Sequence, residues 1–60
     1  MEAELGYYRR RIAEESAAAA AASDRTVQSI HLDLVRRYEE RITALQAQER
    51  RAQMHLIGAA

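Results

Sequence analysis

The sequence predicts an all-α fold: an antiparallel two-helix hairpin, with helices at about 2–22 and 25–57, that dimerises into a four-helix bundle. Three observations lead there. The chain of 60 residues has no proline and only two glycines, which removes turn-dense β and collagen-like folds. Apolar side chains recur at alternating spacings of three and four on both sides of one polar break, the period of a helix face. Finally, two helices cannot enclose a core by themselves, and a domain this small buries only about 60% of its unfolded surface.

The first helix, from about Glu2 to Ala22, opens with Glu2 and Glu4, acids suited to the positive end of the helix dipole. It closes on six consecutive alanines, Ala17 to Ala22, the residue of highest helix propensity. Leu5, Tyr8 and Ile12, continued by Glu15, Ala19 and Ala22, form one narrow stripe like a coiled-coil seam. Gly6 costs roughly 1 kcal/mol relative to alanine inside a helix. Two readings stand for it: a place in the frayed first turn, or room for close approach by a partner. Tyr7 and Tyr8 are adjacent and cannot share one seam, so Tyr7 belongs at a rim or an intersubunit contact, the plain alternative being a half-exposed surface tyrosine.

Ser23-Asp24 is the one convincing break, because either side chain can cap the free N–H groups of a following helix. A connection this short makes consecutive helices antiparallel neighbours. The alternative, one continuous helix, is disfavoured by those polar caps. The second helix carries Val35, Tyr38, Ile42, Leu45, Glu49, Ala52 and Leu56 at heptad spacing. Val27, Ile30, His31 and Leu34 make a second, slightly rotated strip, as where a helix changes partners. Gly58 is a candidate C-cap. At about 1.5 Å per residue the first helix reaches back only to about Leu45, and the rest of the second helix has no partner in its own chain. The whole chain, 1–60, reads as a single helical-hairpin domain.

The expected oligomer interface is Leu5, Tyr8, Ile12, Ala19, Val35, Tyr38, Ile42, Leu45, Ala52 and Leu56. Leu5, Tyr8, Ile12, Ile30, Leu34, Tyr38, Ile42 and Leu45 are expected to supply most of the packing energy, on the order of 1.5–3 kcal/mol for each large side chain fully buried.

Composition narrows the function by exclusion. Nine arginines balance nine carboxylates, so no net charge draws the chain to nucleic acid or an anionic membrane. With no cysteine there is no disulfide and no thiolate site for zinc. His31 and His55 are 24 residues apart, and neither has a second ligand at helical spacing, so no metal is expected. Instead His31 is expected to hydrogen-bond a carboxylate at the seam edge, and His55 to face the negative end of its helix. The pairs Glu14-Glu15 and Glu39-Glu40 read as surface charge, because a di-metal bundle needs inward glutamates with Glu-x-x-His spacing. Neither a nucleophile elbow nor a glycine-rich phosphate loop occurs, so the chain reads as no enzyme and as needing no cofactor. The six-alanine run is too short to span a bilayer, and no basic-then-apolar leader opens the chain, which predicts a cytoplasmic protein without membrane attachment.

The arginines cluster at Arg9, Arg10 and Arg11 and at Arg50 and Arg51, candidate anion-binding groups if the two sets meet in an assembly. Against that stand local ion pairs at helical spacing: Arg10 and Arg11 with Glu14 and Glu15, Asp33 with Arg37, Arg36 with Glu40.

Tyr7-Tyr8-Arg9-Arg10-Arg11, Ala13-Glu14-Glu15, the alanines, Ser23-Asp24, His31-Leu32-Asp33-Leu34 and Arg37-Tyr38-Glu39-Glu40-Arg41 together resemble a group of very short alphaproteobacterial proteins of the sphingomonad type. The resemblance spans roughly Tyr7 to Ile42. Members commonly have Asp-Pro at the interhelical turn, where this chain has Asp24-Arg25. The resemblance implies a helical hairpin and no activity.

The sequence therefore favours a non-enzymatic helical module that pairs with itself or with another protein. The alternatives are a small regulator binding nucleic acid or phosphate through its arginines, and a subunit that folds on a larger partner.

Overall fold

The computed structural model describes the backbone of residues 2–58 and the side chains of residues 3–54. Two helices account for nearly all of it: α1, Glu2–Ala21, and α2, Arg25–Gly58. They pack against each other as a hairpin, so the expected break is real and the continuous-helix alternative falls away. α1 ends one residue earlier than expected and α2 runs through Gly58. The expected cap at Gly58 and the placement of the His55 and Leu56 side chains lie outside the described side chains.

The turn follows from its three residues. The Ala22 N–H donates to the Ala19 carbonyl at 3.3 Å, a tightened last turn that satisfies one carbonyl left over at the helix end. Asp24 is the N-cap of α2. Its Oδ1 accepts from the Thr26 N–H at 2.8 Å while its carbonyl accepts the first helical bond, from Gln28, at 2.9 Å. No residue of the described chain has a positive φ, so this turn closes without the left-handed glycine that usually ends a helix.

Contacts across the seam fix its register. Next to the turn, Gln28 Nε2 donates to the Ala19 carbonyl at 3.4 Å. Further along, His31 meets Glu15, and then the rings of Tyr8 and Tyr38 pack with centroids 5.7 Å apart. Carried to its end, this register brings the start of α1 level with about Leu45, which is buried. Everything in α2 beyond that point projects past α1. The chain is accordingly long and thin, 56 × 18 × 10 Å, with a radius of gyration of 15.6 Å against roughly 10 Å for a globule of this length.

The core is small. Among the described residues the buried apolar side chains are Ala19 and Leu45, while Leu5, Tyr8, Ile12, Leu34, Val35, Tyr38 and Ile42 are half-buried. Ile30 does not join them as expected: it is 56% exposed. The reason is geometric, because a helix with one neighbour buries one narrow stripe and Ile30 lies on its flank. Gly6 sits in open space, with no atom of the chain within 4 Å of where a Cβ would stand.

Candidate functional site

The most organised chemistry lies in the middle of the seam. Glu15 belongs to the α1 stripe, one heptad beyond Tyr8, and that phase turns it toward α2. It is 8% exposed, which corrects its reading as surface charge; Glu14, one position round the helix, does face solvent. A buried carboxylate needs partners, and two arrive from different directions. His31 Nδ1 from α2 lies 2.6 Å from Glu15 Oε1, and Arg11 Nη2 from the preceding turn of α1 lies 3.1 Å from Oε2. The expected carboxylate partner of His31 is thus Glu15.

Arg11 is the hub of this cluster. Besides Glu15 it donates from Nη1 to Glu14 at 2.9 Å and from Nε to the Tyr38 hydroxyl at 3.3 Å. Its guanidinium carbon also stands 5.8 Å from the centroid of the Tyr38 ring. The Tyr38 hydroxyl first, and then Glu14, push the Arg11 pKa above the ordinary arginine value, so the side chain stays protonated. Among the described residues, no fully buried side-chain polar atom lacks a partner. Within the cluster the Glu15 carboxylate is shared between Arg11 and His31. Its effect is positional, since only one register of α1 on α2 brings Glu15 to His31.

The remaining ion pairs differ from those expected. Asp33 pairs with Arg36 at 3.6 Å, one turn away, and the expected partners Arg37 and Glu40 are not engaged. Both spacings put side chains within reach on a helix, and these groups are exposed, so little energy separates them. Arg10 lies over the Tyr7 ring, 5.8 Å from its centroid, and does not pair with Glu14. Tyr7 is exposed in the single chain, edge-on to Tyr8 with centroids 5.3 Å apart. Of the candidate anion-binding arginines, Arg11 is already engaged within the chain, while Arg9, Arg10, Arg50 and Arg51 are exposed.

Two open surfaces flank the seam. On α2, Val27, Ile30 and Leu34 follow each other at helical spacing on one side, and Ile30 and Leu34 line a shallow depression of about 240 Å³ with Asp33 and Arg37. Beyond α1, Gln46, Glu49, Arg50 and Gln53 line a second depression, of about 280 Å³, on the projecting part of α2. Both volumes fall short of the roughly 300–1,000 Å³ of small-molecule sites. Met54, further out, is 69% exposed.

The expected interface residues therefore divide in two. Ala19 and Leu45 are buried within the single chain, Tyr8 and Tyr38 lie against each other, and Ala52 on the projecting segment is exposed. The sequence anticipates two pieces of the seam cluster, the Arg11 pairs and a carboxylate for His31, but not that buried Glu15 joins them or that Tyr38 takes part. Its signal is a glutamate at a stripe position with an arginine four residues before it and a histidine on the facing helix. No helix is long and apolar enough to cross a membrane, and no group of three or more metal-ligating side chains occurs, among the described residues. Compared with known proteins, the chain matches no family model, and neither a curated protein nor a solved structure is significantly similar to it.

Proposed function

We propose that this chain is a non-enzymatic, self-associating helical module. The observation that carries the reading is its surface. The chain exposes 4791 Å², whereas a folded globular monomer of 6.8 kDa exposes about 4,000 Å². The excess is close to the roughly 800 Å² that each partner buries in a standard protein–protein interface. Part of that excess is apolar and ordered on helices: Ile30, beside Val27 and Leu34, and Met54 on the segment beyond α1. A second copy supplies surfaces of matching length and period, and twofold association of two hairpins is an economical way for such helices to cover each other. The seam cluster supports the same reading, since its side chains are engaged with one another and tie the two helices in one register.

Light scattering across a concentration series, with helicity recorded on the same samples, tests the proposal. A helical species of at least twice 6.8 kDa is expected. A helical monomer at the highest concentration would overturn self-association. A poorly helical monomer would overturn it too, and would favour the reading in which the chain folds on a larger partner.

A further inference from the structure

The segment of α2 beyond Leu45 runs past the start of α1, and among the described residues a shallow depression on it is lined by Gln46, Glu49, Arg50 and Gln53. Their order has a property that a single chain does not use. Read outward from the point between Glu49 and Arg50, the face runs Glu49 then Gln46 in one direction, and Arg50 then Gln53 in the other. Glutamine stands at equal distances on both sides, and opposite charges stand at the centre. In the sequence the symmetry extends to isoleucine at 42 and 57. Among the described residues Glu49 and Arg50 form no ion pair within the chain, and adjacent residues on a helix do not face each other.

A face of this kind is complementary to itself under a twofold rotation, the requirement of an isologous contact. We propose that two copies of this chain join through these projecting segments, antiparallel, with the twofold axis passing between Glu49 and Arg50. Glu49 then meets Arg50 of the second copy, and the reciprocal pair forms on the other side of the axis. Gln46 meets Gln53 of the second copy, where two amides can each donate and accept. A parallel pairing in register would set Glu49 against Glu49 and Arg50 against Arg50, so the charges choose the antiparallel orientation. The proposal rests on the self-association reading and specifies where the copies meet. It also gives this contact a shape: the hairpins point in opposite directions from it, and the flank at Val27, Ile30 and Leu34 lies outside it.

The test is a charge swap read by sedimentation equilibrium, with circular dichroism as the check on helix content. Glu49→Arg and Arg50→Glu each convert both attractive pairs to repulsive ones and are expected to weaken dimerisation about tenfold or more. The double variant Glu49→Arg/Arg50→Glu restores both pairs with their signs exchanged and is expected to return to within about threefold of the original. X-ray scattering of the unaltered dimer adds an independent readout. A maximum dimension of roughly 85 Å is expected from two 56 Å chains overlapping along these segments, against about 56 Å for hairpins lying side by side. A dimer indifferent to the single reversals, a double variant no better than the singles, or a dimension near that of one chain would overturn the contact and leave self-association standing. A chain monomeric throughout would overturn both.

Discussion

Glu15 and His31 meet across the middle of the seam, carboxylate oxygen Oε1 to ring nitrogen Nδ1 at 2.6 Å, between the Gln28 and Arg11 hydrogen bonds on either side. Because Glu15 also holds Arg11, one side chain ties two turns of α1 to α2.

Replacing Glu15 separates the parts of that role. Glu15→Ala removes both partners' acceptor and is expected to cost about 1.5–3 kcal/mol, the range for hydrogen bonds to a charged group. Glu15→Gln keeps the shape and one acceptor and should cost less. Urea denaturation at fixed chain concentration reads both, and equal, negligible losses would show that the cluster does not hold the register.

Ala19 and Ala17 differ only in the side of α1 they occupy, buried and exposed respectively. Ala19→Glu forces a charge into the seam and is expected to cost more than about 3 kcal/mol, enough to melt so small a domain. Ala17→Glu should change stability by no more than about 0.5 kcal/mol. Thermal melts of the two variants side by side decide the matter, and similar losses would mean the stripe is misphased.

Gly6 has room for a methyl group, since nothing in the chain comes within 4 Å of the place a Cβ would take. Gly6→Ala is therefore expected to raise stability by up to about 1 kcal/mol and to increase helicity by circular dichroism. A loss of stability instead would mean that a second chain approaches the backbone there.

Leu45 and Ile30 give the corresponding contrast on α2. Leu45→Ala should cost about 2–5 kcal/mol, the usual effect of truncating a buried leucine. Ile30→Ala, measured in dilute solution, should stay within about 0.5 kcal/mol because the side chain is already mostly in water. Any effect of Ile30→Ala that grows with concentration would mark that flank as covered in an assembly.

How far the sequence can be read follows from which features are local. Helix propensity, the Asp24 cap and the stripe through Tyr8, Ala19, Tyr38 and Leu45 depend on neighbours a few positions away, and the hairpin follows from them. The reach of α1 to Leu45 follows from rise per residue alone. Choices between equivalent partners are not legible. Asp33 can reach Arg36 or Arg37, and exposed pairs of this kind differ by too little energy for spacing to decide. The burial of Glu15 shows the opposite case. Its stripe position is visible, but Glu14-Glu15 taken as a pair suggests a solvated surface, and the separating fact is tertiary: His31 comes from a helix 16 residues away in sequence. Ile30 departs from expectation because a strip is buried only as widely as its neighbour covers it.

The three-residue turn has a kinetic consequence. Cross-seam contacts are spaced along the chain like the teeth of a zip: Ala19 with Gln28 at a separation of 9, Glu15 with His31 at 16, Arg11 with Tyr38 at 27. Each contact, once made, shortens the loop that the next must close, and a loop of about 10 residues closes in roughly 10–100 ns. Folding can thus advance from Asp24 outward with no large entropic step, the behaviour of low-contact-order helical proteins that fold in microseconds to milliseconds. Opening runs in reverse. The seam parts first where α1 begins beside Leu45, and the contacts nearest the turn part last.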